Sequence, residues 1–285
     1  MRRPPVPDRI GIVGLGLIGS SLARAVKARA PDTCIVAIEP DLAARKAARR
    51  ARCVEVIAAK IDSRLAGCEM VFLCTPIAVT ERILRPVAMA MSDGAVLTDV
   101  AGSKESLVAR AGREVRAGVE FVGAHPLFGG PGGFCAARAQ LWQGGTVAVC
   151  TDGCSRRAGA AVADFHRALG ARVVRCTAAE HDTAVAVTSH LPYLIASTLS
   201  LCAGRAGRVA AVLYGPGFVN TTRMAELRHA NQGEATRRNR HVPRAAREFA
   251  RSLQRLVAAM SGAPRRAQRL LDAGRAARKK MILRA

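Results

Sequence analysis

The chain has 285 residues, half of them hydrophobic but only 4% aromatic, and a formal net charge of +23. That length suits one large domain or two modest ones, and the apolar content excludes a chain too polar to fold around a core. Six of its 44 basic residues are lysine, so the charge is carried by arginine. Such a balance fits either a nucleic-acid partner or arginine drift on solvated helix faces. No nucleic-acid motif accompanies it, so the second reading is taken and no nucleic-acid partner is expected. The same field attracts a small dianionic substrate. Nine cysteines are scattered without a C-x-x-C pair or a His/Cys zinc spacing. They predict no metal site, small core residues and a reducing cytoplasm.

Residues 1–9 form a short basic, proline-rich lead. Met1-Arg-Arg, the apolar Ile10–Gly19 and Ala28-Arg-Ala30 mimic a secretory signal, but glycines punctuate the apolar part and it runs on into a basic helix. Ile10 to Val13 predicts a buried strand, Gly14, Gly16 and Gly19 spell G-x-G-x-x-G, and Leu17, Ile18, Leu22, Ala25 and Val26 recur at helical spacing. Strand, glycine turn and helix are the context of a dinucleotide site. Gly14 permits the turn, Gly16 lets the backbone approach a pyrophosphate, and Gly19 lets helix and strand pack closely. The helix start at Leu17 and Ile18 offers free N–H groups to the phosphates. A second strand, Cys34–Ile38, ends at Glu39, twenty positions after Gly19, where a carboxylate can accept the hydroxyls of an adenosine ribose.

Asp41 to Arg52 predicts a basic helix, Val54–Ala58 a short strand and Met70–Cys74 a firmer one. That strand ends at Thr75-Pro76, a loop suited to the nicotinamide end of a dinucleotide. A helix over 79–91 and strands at Ala95–Thr98, Val119–Val122, Thr146–Cys150 and Arg172–Arg175 follow, with a helix near 156–169. Alternating strands and helices predict an α/β domain, residues 1–177, with a mostly parallel sheet covered on both faces. From Ala178 strand signals stop, and residues 178–285 predict an all-helical domain. Within it Thr183–Gly204 lacks any Lys, Arg, Asp or Glu and approaches membrane length. Its His190, Pro192 and hydroxyls predict instead a buried helix, and no membrane partner.

Four constellations stand where elements end. His125, in Gly-Ala-His-Pro after a strand, is placed to act as acid or base, or as a satisfied loop histidine. Asp99-Val-Ala-Gly-Ser-Lys104 can hold an anion or a hydroxyl through its amides, Ser103 and Lys104, or simply start a helix with Ser103 as cap. His181-Asp182 and Ser189-His190 lie about two and a half turns apart on one helical segment, His190 among apolar neighbours. Arg223 follows the glycine-rich break of Gly215-Pro-Gly-Phe-Val-Asn-Thr-Thr and can fork onto a carboxylate, or be solvated like most arginines of this chain.

Taken in order, GLGLIGSSLA, TDVAGSK, FVGAHP, EHDTAVAVTSHLP, GPGFVNTTR and Asn239 in a late helix resemble the prephenate/arogenate (cyclohexadienyl) dehydrogenase family over nearly the whole chain. The resemblance implies a Rossmann-type domain followed by an all-helical domain that forms a homodimer, with NAD as cofactor and NADP not excluded. It implies that His125 is the catalytic histidine on the substrate's ring hydroxyl, with Ser103 beside it. It also implies that His190, Arg223, Asn220, Lys104 and Asn239 line the site of a dicarboxylate, with Arg223 on a carboxylate. The implied reaction is oxidative decarboxylation of prephenate to 4-hydroxyphenylpyruvate. Arogenate or a 4-amino analogue would keep that mechanism. A β-hydroxyacid dehydrogenase using Lys104 fits the Gly102–Ser103 stretch poorly, and a non-catalytic Arg-rich nucleic-acid binder leaves the motifs unused. The chain departs from the family pattern at Gly102, where the family has serine, at Gly130 and Pro131, where it has a Ser-Glu pair, and at Asn220, where it has an acid. Arg228–Gly233 replaces its tryptophan-bearing stretch.

Overall fold

The computed structural model describes residues 5–130 and 133–283. Met1-Arg-Arg and Pro131 lie outside them. The chain divides into two compact units, one running to Arg240 and the other from His241.

The first unit opens with β1 (Arg9–Val13), α1 (Leu17–Arg29), β2 (Cys34–Ile38), α2 (Leu42–Arg50) and β3 (Val56–Ala58). It continues with β4 (Met70–Leu73), α3 (Ile77–Ala90), β5 (Val96–Asp99), α4 (Glu105–Glu114) and β6 (Glu120–Val122). These six strands form one parallel sheet in the order β3-β2-β1-β4-β5-β6. Their apolar runs are buried on both faces, as a parallel sheet requires. Period-two alternation sorts them: Ile10, Ile12, Met70 and Phe72 pack in one layer with Leu22, Val26 and Phe165. Val13, Val71 and Leu73 pack in the other with Leu84, Val87 and Leu107. Asp41 stops being a helical residue and becomes the cap of α2, its Oδ1 accepting from Ala44 N at 2.7 Å.

The sheet does not run on as one. After Gly123 comes β7 (Ala124–Pro126), which pairs antiparallel with β8 (Thr146–Cys150). β8 in turn pairs parallel with β9 (Arg172–Cys176), after α5 (Arg156–Ala168), so three strands make a second sheet. The expectation of a loop at His125 is therefore corrected: His125 lies in a strand. Three residues are too few for a periodic signal, and the proline at its end hides it further.

α6 (Ala178–Val185) and α7 (Leu191–Gly204) form one helix interrupted by a π turn at Ala186–His190. Pro192 accounts for the interruption. It has no N–H for the carbonyl four residues back, and its ring would strike that carbonyl in a regular helix. Leu191 N bonds Ala186 O instead, one residue wider. α7 is not the buried helix expected: Ala196 is its one buried residue among those described, and Leu201 is 62% exposed. An apolar helix is not by itself buried, because burial needs a second surface, and this single chain leaves that face uncovered. α8 (Pro216–Thr222), a second π turn at His229–Gly233 and α9 (Glu234–Arg238) complete the unit. Two guanidinium forks dock this last segment: Arg238 on Glu81 of α3, at 3.0 and 2.9 Å, and Arg240 on Glu105 of α4, at 3.0 and 2.7 Å.

The second unit holds α10 (Val242–Gly262) and α11 (Pro264–Leu283). On α10 Ala246, Phe249, Leu253, Leu256 and Met260 recur at alternating spacings of three and four, an apolar seam of coiled-coil type. Met260 of that seam is 64% exposed.

Candidate active site

The carboxyl ends of β1, β2 and β4 meet at the glycine turn. Gly14 has φ +97°, and a Cβ there would stand 2.7 Å from the Cys74 carbonyl oxygen, so no other residue fits. A Cβ on Gly19 would fall 2.0 Å from the Gly14 carbonyl oxygen. Gly16 differs: nothing lies within 4 Å of where its Cβ would be. The backbone is thus open on the side where α1 presents its unpaired Leu17, Ile18 and Gly19 amides, which fits a pyrophosphate. Glu39 is buried at the end of β2, where its Oε2 accepts from Leu15 N at 2.6 Å and its Oε1 from Asp41 N at 2.8 Å. It ties the turn to β2 and keeps a second lone pair on each oxygen for a ribose. Arg45 is held at the same edge, its Nη1 donating to the Glu39 and Pro40 carbonyls at 2.8 and 2.6 Å. Thr75 lies against Gly14, its Oγ1 paired with Thr80 Oγ1 at 2.8 Å, and Pro76 precedes α3. All eight residues expected to bind the cofactor lie along this edge.

The second cluster is polar and centred on His125. Its Nδ1 faces His181 Nε2 at 2.9 Å, and His181 Nδ1 faces Asp182 Oδ1 at 2.8 Å. Asp182 sits on the start of α4, accepting Lys104 N at 2.8 Å and Glu105 N at 3.0 Å. Burial pushes its carboxyl up, but the bonds from His181 and those two amides outweigh it and hold the group below the usual carboxylate range. His125 is half-buried. Burial, then the electrostatic influence of His181, Lys104 and His190, holds its pKa well below that of ordinary imidazole, so the ring is neutral near pH 7. Its Nε2 has no protein partner among the described residues and points past Gly102, whose Cβ would stand 3.7 Å away. The segment after β7 crosses to the glycine turn, with Gly129 beside Ile18 and Arg138 N donating to Ser21 Oγ at 3.0 Å. The histidine and the nucleotide edge therefore share one end of the sheet.

The other expected site residues fall in two groups. Ser103, Lys104, His190 and Asn239 are buried in the wall. Lys104 Nζ pairs with Asp99 and donates to the Ala124 carbonyl at 2.8 Å, so it props the strand carrying His125 and has no face toward a ligand. Ser103 Oγ is buried without a partner and makes no bond to His125; Gly102, one place earlier, is the residue that faces the imidazole. His190 Nδ1 meets Asn239 Nδ2 at 3.1 Å, its other side bonds the Gly102 backbone, and burial lowers its pKa to about 4. Asn239 also donates to the Asp182 carbonyl at 2.6 Å. Lys104, His190 and Asn239 thus pin the Gly102 turn and Asp182 in place. Arg223 and Asn220 are exposed, Asn220 on α8 and Arg223 opening the 3-10 turn beyond it, which packs on α7. Arg223 makes no hydrogen bond or ion pair among the described residues, which leaves its guanidinium available. Sequence reasoning named His181-Asp182 without a role for either, and passed over Asp99 as a partner for Lys104. It missed the bond from Gln232 Nε2 to Ser189 Oγ, 3.1 Å, which joins the two π turns. Only the adjacency of His181 and Asp182 was a visible signal.

Comparison with known proteins bears on this geometry. Residues 22–175 match the family model described as prephenate dehydrogenase, nucleotide-binding domain, and residues 177–272 that described as prephenate dehydrogenase, dimerization domain. The first match begins just after the glycine turn. The chain is 31% identical to a cyclohexadienyl dehydrogenase of Zymomonas mobilis over 76% of its length and 75% of that protein's. It is 29% identical to a prephenate dehydrogenase of Lactococcus lactis over 67% of its length, spanning 52% of that longer protein. Among solved structures it resembles an arogenate dehydrogenase of Synechocystis, with TM-score 0.82, 26% identity and coverage of 96% and 99% of the two chains. A prephenate dehydrogenase of A. aeolicus, solved with hydroxyphenyl propionate and NAD+, shares the fold at TM-score 0.89 and 21% identity, with coverage of 97% and 99%.

Proposed function

The chain belongs to the prephenate dehydrogenase family, and from that premise we propose that it carries out the NAD-dependent oxidative decarboxylation of prephenate. The observation that carries this reading is His125: a neutral imidazole with an unpartnered Nε2, on the same sheet edge as an open glycine turn. A bound nicotinamide supplies the hydride acceptor. His125 Nε2 takes the proton of the ring hydroxyl as the carbon bearing it is oxidised. Arg223 forks onto a substrate carboxylate and sets the ring's orientation. The ring carboxylate leaves as carbon dioxide, and aromatisation provides the driving force, so the protein's part is to position groups. Asn220, one helical turn before Arg223, is neutral and gives no attraction to the ammonium of arogenate. The test is turnover of prephenate and arogenate, each with NAD and NADP. Higher kcat/KM for prephenate is expected, and a preference for arogenate or for neither compound overturns the reading. Arg223→Lys should raise KM for prephenate roughly tenfold, the worth of one charged hydrogen bond, and spare kcat.

The carboxylate of Glu39 repels a 2′-phosphate, and Arg45 is already engaged by two carbonyls. We therefore expect kcat/KM to favour NAD over NADP by about tenfold, again the scale of one charged contact. A ratio favouring NADP would show that Arg45 and Arg49 turn to the phosphate.

A homodimer is the proposed assembly. The uncovered apolar faces of α7 and α10 are the surfaces a second copy would bury, within the stretch matching the dimerization-domain model. Light scattering at micromolar concentration should return twice the chain mass; the chain mass itself would count against it. The helix Ala178–Gly204 is long and apolar enough to cross a membrane by length and composition. Its first half, however, carries His181, Asp182 and His190 in a polar network that lipid would strand. A cytoplasmic enzyme acting on a small dicarboxylate is the corresponding proposal.

A further inference from the structure

The cluster behind His125 is a chain of hydrogen bonds whose direction is set at one end. Asp182 lies on the amides of Lys104 and Glu105 at the positive end of α4, and its carboxyl is held ionised. An ionised carboxylate only accepts, so the proton between it and His181 belongs to His181 Nδ1, across 2.8 Å. A neutral His181 then has a bare Nε2, which also only accepts. The proton in the 2.9 Å contact with His125 must therefore sit on His125 Nδ1. That leaves His125 Nε2 with a lone pair, on the side facing Gly102. Free imidazole has no such obligation, since either nitrogen can carry the proton.

We propose that His181 and Asp182 are positioning residues for the proton transfer: through the chain α4 N-terminus, Asp182, His181, His125, they lock His125 in the tautomer whose Nε2 is a base. The assignment rests on the role given to His125 above. It explains why a buried His-Asp pair lies on a helix that contributes nothing else to the reacting end of the site. The charged and titratable groups around His125 are few. Lys104, paired with Asp99, lies beneath it, His181 and Asp182 flank it from α6, and His190 closes the π turn. Of these, Lys104 and His190 are each satisfied by other partners, so His181 alone bonds the imidazole among the described residues.

The direct test needs no substrate. Nitrogen-15 NMR of the histidine rings in the resting protein near pH 7 reports which nitrogen of each ring is protonated. His125 is expected to carry its proton on Nδ1, and finding it on Nε2 overturns the proposal whatever compound the enzyme oxidises. His181→Leu removes the acceptor. It should move His125 toward the Nε2-protonated form and lower kcat about 10²-fold while dinucleotide affinity stays within about twofold, the scale seen when orienting partners are lost. His181→Gln keeps an oxygen that accepts from Nδ1 and should recover most of kcat. A His181→Leu enzyme with unchanged tautomer would reduce the pair to a packing role. If that variant does not fold, the measurement on the unsubstituted protein decides alone. Failure to turn over prephenate, with His125 protonated on Nδ1, would instead fault the substrate assignment.

Discussion

His125→Asn is expected to lower kcat by roughly 10²–10⁴-fold, the contribution of one well-placed general base, while leaving the fold and prephenate binding intact. The side chain is only half-buried, and its one protein bond runs to His181, so an amide of similar size fills the place without stranding a charge. The effect belongs to the chemical step, and single-turnover kinetics should show it before product release. KM for prephenate should change little, because Arg223 and not His125 is assigned the carboxylate. Near-normal kcat would remove His125 from the reaction. This is the largest kinetic effect expected of a single substitution here, because no second group among the described residues bonds Nε2. At Gly102, the neighbouring position where the family has serine, there is no side chain to share the substrate's hydroxyl.

Lys104→Met should produce the largest loss of stability. Lys104 and Asp99 are both wholly buried and paired with each other. Asp99 is further held by Ala101 N at 2.8 Å and Ala124 N at 3.1 Å, and Lys104 by the Ala124 carbonyl. Removing the ammonium leaves a carboxylate in the core between β5 and β7 with two amides and no cation. Breaking one partner of such a pair costs about 3–5 kcal/mol. For a unit of this size that corresponds to a fall in Tm on the order of 10 °C by calorimetry. Asp99→Asn with Lys104→Met should recover part of the loss, since both charges then leave together. A Tm within about 2 °C of the parent for Lys104→Met would mean that the pair contributes no more than a surface contact. Activity should fall with stability, because Ala124, which both partners hold, immediately precedes His125.

Much of this molecule was legible in one dimension, and the reason is local. The glycine turn between β1 and α1 shows in the sequence because each glycine answers a backbone demand that no other residue meets. The six parallel strands show because burial on both faces forces continuous apolar runs such as Ile35–Ile38 and Val71–Leu73. Glu39 and the Thr75-Pro76 loop follow from their spacing to those runs. Where the signal needed a partner from far along the chain, it failed. β7 was hidden because three residues ending in proline carry no period, and its existence depends on β8, some twenty positions later. Ser103 and Lys104 looked like ligand groups because a strand-end Ser-Lys pair reads alike whether it faces a cleft or a core. Only the burial of both side chains, and the pairing of Lys104 with Asp99 and the Ala124 carbonyl, decide for the core.

By itself, then, the sequence determined the α/β alternation, the dinucleotide edge and the helical character of everything after Ala178, since these arise from periodicity and backbone conformation within about thirty residues. The tertiary structure decided which polar groups pair and which stay open. Asp182 meets the amides of Lys104 and Glu105 across more than seventy positions, and His181 meets His125 across 56. Arg223 is left open while His190 and Asn239 are consumed by each other. No local rule encodes these choices. A buried polar group must find a partner, and which partner it finds depends on where the fold sets down the rest of the chain.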